Sequence, residues 1–210
     1  MIEFAPIQVK DFVMFQPISS QHPLILASGS RYRAELLSRL QLPFVGIASN
    51  IDETPQPGEP AHDLTQRLAL AKARALSALH PRQWVLGSDQ VATASGRILG
   101  KPGTRERAAE QLSFLSGLTV EFLTVVALVG DSRADTALDV TTVRFRKLSP
   151  AEIDRYLDAE SVLDCAGSFK CEGLGISLFE FIRSEDPTGL VGLPLIAVRR
   201  LLAQAGHALP

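Results

Sequence analysis

The chain has 210 residues, 46% hydrophobic and 21% charged, with a formal net charge of −2. That length suits one large domain or two small lobes around a core that needs no staple. A chain without basic excess is a poor general binder of nucleic acid or of a membrane surface, though local basic groups can still hold a small anion.

No run approaches the length of apolar chain that spans a bilayer, and the N-terminus lacks a basic region followed by an apolar one and a small-residue cleavage site. Residues 1–23 have no clear periodicity and are expected to be an extension without order, with Met14 as an alternative start. The rest, 24–210, reads as a single domain. Only two cysteines occur, Cys165 and Cys171, without His or Cys partners at ligand spacing, which excludes a zinc site and fits a reducing cytoplasm.

Leu24 to Ala27 is a short apolar run that predicts a buried strand, Ser28-Gly29-Ser30 punctuates it, and Leu36, Leu37 and Leu40 then recur at helical spacing. A strand, loop and helix in that order point free N–H groups and small hydroxyls at a helix N-terminus, where an anion is favoured. Arg31 and Arg33 stand in the first turn, where a cation is locally unfavourable unless it is solvated or meets an anion. Phosphate is the obvious guest; a solvated arginine pair is the plainer reading.

Pro43 to Ala48 predicts a second strand, leading to Asp52-Glu53 and a proline-rich loop at Pro55 to Pro60. Neighbouring carboxylates on a strand end point opposite ways, so one of them faces a given site. Asp63 is expected to cap the next helix, with Leu64, Leu68, Ala71, Ala75, Leu76 and Leu79 as its inward stripe. Lys72 falls inside that stripe, so its ammonium must snorkel out, find a carboxylate or meet a buried anion.

Trp84 to Ser88 predicts a buried strand that ends at Asp89-Gln90, the place where α/β folds set carboxylates at a crevice. A turn at Ser95-Gly96 then closes a hairpin onto Ile98-Leu99. Gly100-Lys101-Pro102 invites comparison with a P-loop and fails it: the glycines are too close, and proline stands where Ser or Thr should follow the lysine. Thr104 caps a helix to Leu115. Thr119 to Val129 and Thr136 to Lys147 predict a long antiparallel pair, and Ser149-Pro150-Ala151-Glu152 opens a helix with a capping box. A polar loop from Asp164 to Gly173 contains Lys170 and Glu172 and precedes an expected strand, Ile176 to Ile182. Asp186-Pro187-Thr188-Gly189 then leads past Gly192 and Pro194 to a closing helix with Leu195, Val198, Leu201 and Leu202 inward.

With these pieces placed, the chain resembles the Maf family of nucleoside triphosphate pyrophosphatases from Leu24 to about Gly206. The motifs that carry the resemblance are Leu-Ala-Ser-Gly-Ser-Arg-Tyr-Arg at 26–33, Asp52-Glu53-Thr54, Lys72-Ala73, Gly87-Ser88-Asp89, Gly100-Lys101-Pro102, Ala166-Gly167-Ser168-Phe169-Lys170 and Val191-Gly192-Leu193-Pro194. Gly-Ser-Asp-Gln at 87–90, the aromatic at 32 and Ser-Phe-Lys-Cys-Glu-Gly at 168–173 are most similar to the YceF-type branch, which hydrolyses 7-methyl-GTP to 7-methyl-GMP and pyrophosphate. Arg31 replaces the usual proline after Ser30, and Tyr32 stands where Trp is usual in that branch.

The resemblance implies an α/β fold, a mixed twisted sheet in two lobes with a central cleft (Maf/ITPase-like), as a homodimer. It implies Asp89 as proton acceptor for the attacking water, Ser28, Arg33, Lys72 and Lys101 as triphosphate ligands, and Glu53 with Asp89 as holders of Mg²⁺ or Mn²⁺. Tyr32, Gln90 and Glu172 would choose the base. The implied partner is a small nucleoside triphosphate, with neither nucleic acid nor membrane. Other readings compete: a pyrophosphatase for other modified or pyrimidine triphosphates such as dTTP and UTP, and a non-catalytic nucleotide-binding regulator of cell division. An RNA-binding module is disfavoured by the acidic balance.

Overall fold

The computed structural model describes residues 16–209 apart from Asp131; residues 1–15, part of the expected extension, lie outside the described residues. The apolar run forms β1 (Leu24–Ala27), fully buried along its length. Ser30 then caps α1 (Arg31–Ser38), its hydroxyl accepting from Arg33 N. β2 (Phe44–Gly46) pairs in parallel with β1. After α2 (Ala61–Ser77) comes β3 (Val85–Ala94), which pairs in parallel with β1 and turns back through β4 (Arg97–Leu99).

Thr104 caps α3 (Arg105–Leu115) as its side chain predicts. The Val- and Thr-rich stretches form β5 (Thr119–Gly130) and β6 (Arg133–Phe145), in unbroken antiparallel register from Thr119 opposite Arg144 to Gly130 opposite Arg133. The capping box opens α4 (Pro150–Ala159), with Ser149 and Glu152 bonding each other's backbone. β7 (Phe179–Arg183) and α5 (Leu195–Gln204) complete the chain. The strands make one mixed, seven-stranded sheet in the order β2-β1-β3-β5-β6-β7, with β4 on β3.

The long strands β3, β5 and β6 run through two differently built halves. In one half the sheet is covered on both faces: Leu24, Leu26, Leu86 and Leu128 pack against α1 and α5, while Ile25, Ala27, Val85 and Val125 pack against Ala69, Ala73 and Leu76 of α2. A fully covered strand reads as a continuous apolar run, which is why β1 shows no alternation. In the other half Phe122, Val143 and Phe145 meet Leu112 and Leu115 of α3 and Ile153 and Tyr156 of α4. Phe169 sits among Phe122, Phe145 and Phe179, edge to face, at centroid distances of 5.4, 5.6 and 4.8 Å. Those contacts anchor the polar loop of residues 164–173 to the core.

Several expectations need correction. Asp63 does not cap α2; the helix begins earlier, after Pro60, and Asp63 sits in its first turn, where a carboxylate still favours the dipole. The inward stripe is rotated: Ala69 and Ala73 are buried, whereas Leu79 lies past the helix end and is 71% exposed. Residues 174–178 form a 3-10 turn, so the strand expected from Ile176 starts only at Phe179. Asp89 does not end its strand; β3 continues to Ala94 because β5 keeps pairing with it.

Candidate active site

The register explains where the cleft lies. β1 pairs with β3 up to Ala27 opposite Gly87, and β4 joins β3 only at Ala92 opposite Leu99. Between those points Ser88 to Val91 pair with β5 alone, so their other edge stands open. That gap in the sheet is the back wall of a cleft of about 880 Å³, lined by residues from both halves. Every residue expected at the site lines it: Ser28, Tyr32, Arg33, Glu53, Lys72, Asp89, Gln90, Lys101 and Glu172.

Lys72 does not snorkel. It is 6% exposed, and its Nζ donates to Asp89 Oδ1 at 2.7 Å and lies 2.9 Å from Glu53 Oε1. Gly87 permits the arrangement: a Cβ there would run into Ala69 O and come within 2.9 Å of Ala73 N, so α2 lies directly on β3 one turn from Lys72. Burial pushes the Asp89 carboxyl above its ordinary value; Lys72 and then Arg33 oppose the rise, and Glu53 adds to it.

On the other side of the cleft, Arg33 Nε donates to Gly192 O at 2.9 Å, and Ser88 Oγ donates to the same carbonyl at 2.9 Å. Gly192 has φ +107°, a backbone conformation that favours glycine. Ser28 Oγ accepts from Ser30 N at 3.1 Å and from Arg33 Nη1 at 3.4 Å, which leaves its own hydroxyl proton for a ligand. Together with the N-terminus of α1, these groups form a corner of donors and positive charge suited to an anion.

The three positions expected to select a base are unequal. Gln90 is tied to protein through Nε2, which reaches Thr124 Oγ1, Gly189 O and Leu190 O at 2.9 to 3.1 Å, so its amide oxygen is the atom left to read a base. Glu172 is exposed, and Cys171 Sγ lies 3.4 Å from its Oε2. Arg31 lies over the Tyr32 ring, 4.8 Å from its centroid, and donates to its hydroxyl at 3.0 Å. Lys101 is exposed on the loop after β4.

Some contributors carried no sequence signal as site residues. Thr124 of β5 supports Gln90, and its hydroxyl donates to Gly189 O at 3.1 Å. Gln111 of α3 accepts from Ser168 Oγ and donates to Gly100 O at 3.2 Å, joining the loops that carry Glu172 and Lys101. Their spacing matches ordinary strand and helix positions, so only the fold brings them to the site.

Fold and cleft together define a mixed α/β protein with a donor-lined cleft, set at a gap in the sheet and backed by a lysine-paired carboxylate. Residues 23–205 match the family described as Maf-like protein, and the chain belongs to that Maf family. A 7-methyl-GTP pyrophosphatase of Xanthomonas oryzae pv. oryzae (strain MAFF 311018) is 61% identical over 187 residues, 89% of this chain and 98% of that one. The protein of the same name from Bordetella pertussis is 57% identical over 183 residues, covering 87% and 92%. Among solved structures, the Staphylococcus aureus Ham1 protein aligns over 87% of this chain and 97% of its own, with 13% identity and a TM-score of 0.49. No described helix is long and apolar enough to cross a membrane.

Proposed function

We propose that the chain is a nucleoside triphosphate pyrophosphatase that hydrolyses 7-methyl-GTP to 7-methyl-GMP and diphosphate. The observation that carries this reading is the pairing of a buried carboxylate, Asp89, with Lys72 beside the Ser28–Arg33 anion corner. Relatives named 7-methyl-GTP pyrophosphatase, at 57% to 61% identity over most of both chains, support the substrate.

In this reading Ser28, Arg33, Lys72 and Lys101 hold the triphosphate and neutralise its charge. Asp89 takes a proton from water as the water oxygen bonds to the α-phosphorus; the bond from that phosphorus to the bridging oxygen breaks, and diphosphate leaves. Positioning and charge neutralisation are the main demands of such a transfer, and no covalent nucleophile is needed.

The chemistry of the donor set fits a divalent cation. Glu53 and Asp89 already converge on one cationic centre, Lys72 Nζ, at 2.9 and 2.7 Å. One or two carboxylates completed by substrate phosphate oxygens are what Mg²⁺ takes. When bound, Mg²⁺ or Mn²⁺ would neutralise charge on the phosphates.

Tyr32, Gln90 and Glu172 select the base: an aromatic face and a carboxylate suit the cationic ring of 7-methylguanine. The same reading makes the partner a small nucleotide rather than a nucleic acid, and a solution mass tests the homodimer that goes with it. The deciding experiment is diphosphate release with Mg²⁺ or Mn²⁺ from 7-methyl-GTP, GTP, dTTP, UTP and CTP, alongside Asp89→Asn. A clear preference for 7-methyl-GTP with a nearly inactive variant is expected; no release from any of them overturns the reading.

A further inference from the structure

The segment between β7 and α5 gives the cleft carbonyl oxygens. Gly189 O accepts from Gln90 Nε2 and Thr124 Oγ1, Leu190 O accepts from Gln90 Nε2, and Gly192 O accepts from Arg33 Nε and Ser88 Oγ. Arg33 and Gln90 are therefore aimed by backbone acceptors, and those acceptors are only as fixed as their loop.

A buried carboxylate fixes it. Asp186 is 4% exposed; its Oδ1 accepts from Thr188 N at 3.0 Å and Thr188 Oγ1 at 2.6 Å, and its Oδ2 accepts from Ile196 N at 2.6 Å. Thr188 Oγ1 in turn accepts from Leu195 N at 2.8 Å. Leu195 and Ile196 open α5, whose N-cap residue, Pro194, makes no side-chain cap. Asp186 and Thr188 thus satisfy two of the orphan N–H groups of that helix from the far end of the loop, and in doing so close the loop on itself. Beneath it, Gly189 lies so close to Asp139 of β6 that a Cβ would collide with Oδ2, so the segment rests on the sheet as well.

We propose that Asp186, acting through Thr188, is a positioning residue for the reaction: it holds the carbonyls of Gly189, Leu190 and Gly192 where they aim Gln90 at the base and Arg33 at the phosphates. The inference rests on the pyrophosphatase reading. An ordinary helix cap would affect stability alone, whereas this network passes through Gly192 to Arg33. The carboxylate is required because it accepts three hydrogen bonds, and an asparagine would turn an amino group toward one of the donors.

The test is a double-mutant cycle on the full chain: Thr188→Val, Arg33→Ala and both together, with Thr188→Ser as the conservative variant. Melting and circular dichroism confirm folding, and Asp186→Asn replaces Thr188→Val should the latter not fold. Thr188→Val is expected to lower kcat/KM for 7-methyl-GTP about ten- to a hundredfold, the scale of a small misplacement of a positioning group. Thr188→Ser should recover most of the loss, and in the Arg33→Ala background Thr188→Val should cost less than in the wild type, only the part that runs through Gln90 remaining. Unchanged kcat/KM, or an equal loss in both backgrounds, overturns the proposal.

Amide hydrogen exchange separates this failure from that of the functional reading. Val191 N and Gly192 N donate to Thr188 O and Gly189 O, and their protection should fall in Thr188→Val. A wild-type chain that cleaves no triphosphate overturns the pyrophosphatase reading; the loop network then stands if that protection is lost and falls if it is retained.

Discussion

Lys72 Nζ and Asp89 Oδ1 lie 2.7 Å apart, both almost sealed from water, across the seam where α2 meets β3. The pair leaves a carboxylate that burial raises and an ammonium lowers. If Asp89 must be ionised to take a proton, kcat/KM should fall on the acid side at a pH above the ordinary aspartate range. Lys72→Met removes the opposing charge, so that acid limb should move further up as the rate drops. Asp89→Asn should cost about two to four orders of magnitude in kcat. The pH profile of kcat/KM for the wild type and Lys72→Met measures the first two; a limb that does not move separates Lys72 from the titration.

Gly87 sets how near Lys72 can come. With a Cβ at that position α2 must withdraw, because the colliding atoms are backbone. Gly87→Ala should destabilise the fold by about 1–3 kcal/mol, the usual range for overpacking. It should also lower kcat/KM at temperatures where the variant is fully folded. Denaturant unfolding and activity on the same preparation test both halves.

If Tyr32 and Glu172 select the base as proposed, Tyr32→Ala and Glu172→Gln should each lower the preference for 7-methyl-GTP over GTP. For Tyr32 the change is about two- to thirtyfold, the range of a cation over an aromatic face. Arg31 competes for that face, since its guanidinium already lies over the ring. Arg31→Ala should therefore lower KM for 7-methyl-GTP about two- to fivefold. Ratios of catalytic efficiency that stay unchanged across these variants would remove the aromatic account of selectivity.

Acid stability has a separate source. Glu59 accepts from Arg67 Nε at 2.6 Å, Arg67 Nη2 at 2.8 Å and Gln56 N at 2.9 Å. The arginine first, then the backbone N–H, draw its pKa down from 4.5 to about 2. The unfolded chain binds the proton more readily, so this contribution is complete above 4.5 and is lost as pH falls toward about 2. Glu59→Gln should flatten the decline in unfolding free energy across that window, read by urea titration at each pH.

Local chemistry made much of the molecule legible. Thr104 and Ser149 cap the helices their side chains predict, and the Val- and Thr-rich composition of β5 and β6 points to a long antiparallel pair. Lys72 stood out because an ammonium on an apolar stripe has few physical answers, and the cleft supplies a carboxylate. What stayed hidden depends on tertiary pairing. Asp89 looked like a strand terminus because local apolar patterning ends there, while pairing with β5 carries the strand on to Ala94. Thr124 and Gln111 act through atoms that are remote in sequence, and no spacing rule could bring them together. The Asp63 reading failed because Pro60 starts the helix without any side-chain cap.

The gap between β1 and β4 along β3 also bears on how the molecule assembles. β5 and β6 are neighbours in sequence and can zip from their turn, whereas β1 must find β3 across all of β2 and α2. Contacts that close long stretches of chain form late, after the loop entropy has been met. The hydroxyl and guanidinium of the β1–α1 corner are therefore expected to join the cleft later in folding than β5 and β6 pair, while Lys72, 17 residues from Asp89, can reach its carboxylate without them.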